Sequence, residues 1–165
     1  MLSNVLKATG QDCSERPPQT VADGLDAVRV GGKGGLIGTL VMTAFRVPIT
    51  RSLPPTANFW AKYIAGGSSE EHTVHGIILH LVYGTVGGVA FVLCCAPGGT
   101  GSDVADEWQG IVRGTAFGLL LSVFGVHIVL KWLLDMDLEA NERLIFHVGH
   151  IIYGLTLGTW VGSNR

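Results

Sequence analysis

The chain has 165 residues, of which 47% are hydrophobic and only 15% charged, with 24 glycines and a positive mean hydropathy. Ordinary soluble domains carry about 25% charged residues, so this composition excludes a water-facing coat on all sides and points to a membrane protein. A net charge of -2 without a Lys/Arg-rich run also excludes the electrostatic footprint of nucleic-acid binding.

Residues 1 to 19 are polar, include the isolated Cys13 and end in Pro17-Pro18, which predicts an extended segment. The opening Met-Leu-Ser-Asn-Val-Leu-Lys has neither a long apolar core nor a small-residue cleavage site. Insertion is therefore expected to be directed by the hydrophobic segments themselves. Thr20, with Asp23 three residues on, resembles a capping box, and Val21, Leu25 and Val28 form a narrow apolar stripe suited to a membrane interface. These features define a polar N-terminal arm with a short amphipathic helix over residues 1–33. Val30-Gly-Gly-Lys33-Gly-Gly lacks the Ser or Thr and the preceding strand of a phosphate loop, and reads as a flexible small-residue lead-in to the first span.

That first span centres on Gly34 to Phe45 and is bracketed by Lys33 and Arg46. Its apolar run is short for a bilayer, which needs about 20 residues, unless both cations snorkel to opposite interfaces and the helix continues to about Ile49. Leu53-Pro54-Pro55 closes it, and Phe59, Trp60 and Tyr63 around Lys62 form an aromatic anchor at the headgroups. Ser68 with Glu71 predicts a second capping box before the clearest span, His75 to Ala96, which Pro97 and the glycines to Gly101 end. Asp103, Asp106, Glu107 and Trp108 read as a solvated loop. A third span is expected from Gly110 to Leu134, a charged connection over 135–143, and a fourth span from about Leu144 to Val161.

His80-Leu-Val-Tyr83-Gly84, with Gly88, returns as His150-Ile-Ile-Tyr153-Gly154, with Gly158. Residues four apart share a helix face, so Gly76, His80, Gly84 and Gly88 form one ridge and His150, Gly154, Gly158 and Gly162 another. The third span carries a similar ridge of Gly110, Gly114, Gly118 and Ser122. Small-residue ridges let membrane helices approach closely, and the second and fourth spans are expected to pack on each other through Gly84, Gly88, Gly154 and Gly158. The fold class is accordingly all-α, with a transmembrane domain over 34–165. It comprises four transmembrane helices as two parallel helix-pair repeats, about 35–95 and 110–162, aligned on the dipeptides Gly38-Thr39 and Gly114-Thr115. Lys7, Arg16, Arg29, Lys33, Arg113 and Arg165 would lie on one side, against Arg46, Arg51, Lys62, Lys131 and Arg143. That balance favours a cytoplasmic N-terminus in a multi-pass protein of the cell membrane.

Gly-Leu-Ile-Gly-Thr-Leu-Val-Met-Thr over 35–43, the Leu-Pro-Pro loop and the two His-x-x-Tyr-Gly copies resemble the small four-helix integral membrane proteins of unknown function found in archaea and bacteria. The resemblance spans roughly residues 34 to 162. It implies the architecture and no particular activity.

An ionisable side chain inside a membrane is a functional candidate, and His75, His80, His127, His147 and His150 all fall toward one membrane face. Helical phase turns His127 about 180° from Gly118 and His75 about 140° from His80. His80 and His150, with His147, are left as the shared polar pair, and Tyr83 and Tyr153 as their polar partners. The plainer role for this pair is interhelical hydrogen bonding. The alternative is ligation of haem b or a transition metal, in which the glycines would face the ring. Cys94-Cys95 lacks zinc-site spacing, Ser122 lacks nucleophile-elbow glycines, and no carboxylate lies in the core of a span. No cofactor, no metal and no enzymatic activity are therefore expected.

The leading functional expectation is a non-enzymatic accessory or structural subunit, in contact with the lipid bilayer. It would pack with other membrane subunits or as a homo-oligomer through Gly76, Gly84, Gly88, Gly114, Gly118, Gly154 and Gly158. The alternatives are an electron-transfer protein using His80 and His150, and a small oligomeric transporter or channel.

Overall fold

The computed structural model describes residues 21–50, 54–95 and 102–164, and every regular element among them is helical. Helix α1 is Val21–Thr50, α2 is Pro55–Trp60, α3 is Thr73–Cys95, α4 is Asp103–Phe124 and α5 is Ala140–Ser163. A π-helical turn, Ala61–Ala65, extends α2; a 3₁₀ turn, Ser69–His72, leads into α3; and α4 runs on in π-helical form through Gly125–Leu133. The Cys13 and Pro17-Pro18 segment, the Thr20 cap, Leu53, the Pro97 to Gly101 stop and Arg165 lie outside the described residues.

Among the described residues, three continuous helical runs are long and apolar enough to cross a membrane: Ser69–Cys95, Asp103–Leu133 and Ala140–Ser163. Their outer faces are apolar too, with Ile78, Val82 and Val86 on α3, Leu120 and Val123 on α4, and Leu144 on α5 all exposed. Such surface is stable only against an apolar solvent or a partner. α1 is not among the three, because Lys33 and Arg46 interrupt its apolar run.

Several local expectations change. Residue 33 is no boundary among the described residues: Val21–Thr50 is one unbroken 30-residue helix, so Gly31 to Gly35 are no flexible lead-in. Glycine costs a helix about 1 kcal/mol, but here the missing side chains let another backbone pack directly on α1. The acidic residues Asp103 and Asp106 are the first turn of α4 rather than a loop, at the positive end of the helix dipole. Ser68 makes no side-chain cap bond. The capping box instead sits at α5, where the Glu139 side chain accepts from the Glu142 backbone N–H and Glu142 accepts from the Glu139 N–H. It absorbs half of the charged connection into the helix.

The glycine ridges are used, but with different partners from those expected. α1 packs on α3 and on α5, and α5 packs on α4, while α3 and α4 meet only lightly. A Cβ on Gly35 would strike the Gly84 carbonyl, and one on Gly31 would lie 2.5 Å from the Gly88 carbonyl oxygen. In the other pair, side chains on Gly110, Gly114 and Gly118 would strike the carbonyls of Gly158, Gly154 and His150. Numbers rise on one helix as they fall on the other, so each pair is antiparallel and α3 runs parallel to α5. Gly84 and Gly88 thus face α1, and Gly154 and Gly158 face α4; the glycine ridges of the second and fourth spans do not pack on each other. Gly76 packs on Ala57 of α2, where a Cβ would lie 2.5 Å from the Ala57 Cβ. Every glycine expected to serve a partner protein is spent inside the chain. The register also differs, since Gly35 and not Gly38 matches Gly114, and Gly38 faces the Tyr153 ring.

What joins the two pairs is side-chain packing. Met42, Phe91, Tyr153, Leu157 and Val161 form the buried core, with Phe117 and Leu121 against it. The Tyr153 hydroxyl crosses from α5 to donate to the Gly84 carbonyl on α3 at 2.7 Å. Phe91 and Phe117 bring α3 to α4 with ring centroids 5.4 Å apart.

Candidate functional site: a basic cavity at one end of the bundle

α1 and α4 end, and α3 and α5 begin, at the same end of the bundle. Between them lies a cavity of about 260 Å³, open on one side and roofed by α2. His80 and His150 reach it from the first half of their helices, Arg46 from the last turns of α1, and Tyr83 from α3. Leu79, Val129, Leu130, Leu133 and Phe59 supply apolar walls. Each placement follows from sequence position. His80 and His150 precede the close-packed glycines Gly84 and Gly154 by one turn, where the helix pairs still hold their side chains inward: 9% and 6% of their surfaces remain exposed.

His150 Nδ1–H donates to the Phe146 carbonyl one turn back at 2.9 Å, which leaves Nε2 with the remaining lone pair. The Phe146 ring packs beside the His150 ring, with centroids 4.4 Å apart. Arg46 lies over the Phe146 ring, its guanidinium carbon 5.5 Å from the centroid. Its stem packs over Gly149, whose missing side chain makes room for it. Arg46 Nε is buried and has no hydrogen-bond partner among the described residues. No described carboxylate forms an ion pair with Arg46 either; Glu142 acts on it only at longer range and is committed to the α5 cap. A guanidinium is always charged, so this cavity holds a fixed positive charge with which no carboxylate among the described residues forms an ion pair.

The remaining sequence candidates separate. His147 is not in the cavity: it pairs with Ser122, Nδ1 to Oγ at 2.6 Å, across α4 and α5. Ser122 is fully buried, so the pair ties α4 to α5. Ser122→Ala is expected to cost about 1 kcal/mol, the usual net worth of such a bond, measured as a shift in detergent-solubilised unfolding. His127 lies in a separate outer groove with Lys131 and Asp135. His75 is exposed and stacks on Trp60, centroids 4.9 Å apart, at the expected interfacial anchor. The repeated tyrosines diverge: Tyr153 is 2% exposed and Tyr83 41%.

Arg46 is the functional candidate that sequence reading missed, having been assigned to snorkel toward an interface. The signal was present, since a cation broke an otherwise apolar run. At the mouth, Lys62 Nζ and Tyr63 O–H both donate to the Leu133 carbonyl, at 3.0 and 2.6 Å. They fasten the π-helical turn after α2 to the π-helical end of α4, where the shifted backbone pattern leaves a carbonyl to accept them.

Two imidazoles suggest haem or metal, and the site can be tested for fit. The faces beside the histidines are filled: a side chain at Gly84 would strike the Thr39 hydroxyl, and one at Gly154 the Gly114 carbonyl. No slot for a macrocycle lies along the glycines, so haem does not fit there. Among the described residues no three His, Cys, Asp or Glu side chains converge as a metal site.

Comparison with known proteins adds no constraint: no family model, curated protein or solved structure matches the chain.

Proposed function

We propose that the chain is a multi-pass membrane protein of four spans, arranged as two parallel repeats of an antiparallel helix pair, α1 with α3 and α4 with α5. The fourth crossing is α1, with exposed Leu36, Leu40 and Val41 facing lipid and Arg46 withdrawn into the cavity instead of meeting it. The matched glycine contacts, Gly31 and Gly35 on one pair and Gly110 and Gly114 on the other, support the repeat. The N-terminus is cytoplasmic in this reading, and the cavity opens toward the opposite face.

Its function is non-enzymatic: it binds a lipid-soluble small molecule through the end cavity. The observation that carries this reading is the convergence of Arg46, His80, His150 and Tyr83 on one apolar, half-enclosed space, the usual composition of a ligand pocket. Because the glycine ridges are occupied internally, any role as a subunit would rest on the outer apolar faces. The experiment is gentle purification from native membranes followed by mass spectrometry of the organic extract and an absorption spectrum. A stoichiometric small molecule is expected in the parent and its loss in Val129→Trp, which fills the cavity; an empty parent sinks the reading. A Soret band or one equivalent of metal, lost in both His80→Gln and His150→Gln, would instead favour electron transfer.

A further inference from the structure

The cavity contains a charge problem that its ligand can solve. Arg46 brings a permanent positive charge among Phe59, Leu79, Val129 and Phe146, where none of the described lining residues is acidic. A cation within membrane depth is costly and is ordinarily paired. The Phe146 ring offers only partial compensation through its π face. The unpartnered Nε is one tine of the guanidinium fork, which matches the two oxygens of an oxyanion. The hydroxyl of Thr56 is already committed to the Gly76 carbonyl at 2.6 Å, so Arg46, the imidazoles and Tyr83 remain to meet a headgroup.

We infer that this site takes an amphiphile with an oxyanion headgroup, such as a long-chain carboxylate, with Arg46 as its counter-ion and the chain lying along Leu79, Val129 and Leu133. This rests on the proposal that the cavity is the ligand site. The side opening lets the chain pass outward, since about 260 Å³ accommodates a headgroup and the first carbons only. His150, with Nδ1–H tied to Phe146, lines the same space.

The test compares three probes of equal chain length, a fatty carboxylate, the alkyl phosphate and the fatty alcohol, binding to the purified full chain in neutral detergent. The wild type is expected to bind the carboxylate at least about tenfold more tightly than the alcohol, as a charge-assisted bidentate contact requires. Arg46→Gln should bring the carboxylate down to the level of the alcohol without weakening the alcohol, and Arg46→Lys should retain part of the preference. Equal or tighter binding of the alkyl phosphate assigns the source to a phosphate lipid and keeps the oxyanion inference. Acetate or inorganic phosphate displacing the carboxylate at micromolar concentration would overturn the amphiphile. Equal binding of carboxylate and alcohol by the wild type would overturn the counter-ion role while leaving the cavity reading intact. Binding of no probe, with Val129→Trp indistinguishable from the parent, would remove the cavity reading itself. The decisive comparison is made on the wild type, so it holds even if Arg46→Gln fails to fold.

Discussion

Gly114→Leu is expected to be among the most damaging single substitutions, costing about 3 kcal/mol or more, the upper end of overpacking penalties. A Cβ at Gly114 would meet the Gly158 Cα at 2.6 Å and its nitrogen at 2.8 Å, besides colliding with the Gly154 carbonyl. These are backbone atoms of a packed helix and no side chain can rotate away from them. The pair must separate or the helix must shift, and either change also loses the van der Waals contacts that hold membrane helices together. Gly24→Ala is the matched control, because a Cβ at Gly24 meets nothing within 4 Å; a small gain from improved helix propensity is expected there. Unfolding followed by helical circular dichroism in mixed micelles measures both. A Gly114→Leu protein as stable as its parent would mean that α4 and α5 do not touch along this ridge.

The second large effect is expected at Tyr153. Tyr153→Ala removes a buried ring from the central core and should cost about 3–5 kcal/mol. Tyr153→Phe keeps the ring and deletes only the hydrogen bond to the Gly84 carbonyl, so about 1 kcal/mol is expected. The same change at its sequence twin, Tyr83→Phe, should be nearly silent for stability, because that side chain is 41% exposed at the cavity edge. Measuring the three variants side by side separates the two copies of the motif. Equal losses at Tyr83→Phe and Tyr153→Phe would contradict the asymmetric arrangement.

These two sites also mark where sequence reading stops. The small-residue ridges at four-residue spacing are legible in the sequence, because helical geometry alone places Gly84 with Gly88 and Gly154 with Gly158. Which ridge meets which is a different matter. All the ridges present the same chemistry, so a sequence has no means of preferring Gly84 against Gly154 over Gly84 against Gly35. Only the packing of whole helices distinguishes them, and it pairs α3 with α1 and α5 with α4. The capping box went unread at Glu139 and was expected at Ser68, because cap geometry depends on the chain direction before the helix. The unbroken α1 was hidden by glycines that are unfavourable in isolation and become useful once Gly84 and Gly88 press on them.

Composition and periodicity by themselves determined an all-helical chain with runs apolar enough to cross a membrane, and brought out His80 and His150 as a pair by repeat and phase. Burial of apolar surface and helical spacing are local properties, which is why they can be read one segment at a time. Tertiary structure alone decided that Arg46 turns inward to join that pair, that His147 leaves it for Ser122, and that Tyr153 and Tyr83 part company. Each of these depends on what a neighbouring helix places opposite the side chain: the gap at Gly149 admits the stem of Arg46, and the Gly84 carbonyl receives the hydroxyl of Tyr153. A residue's partners across a helix interface are set by the register of two backbones, and no single stretch of sequence contains that register.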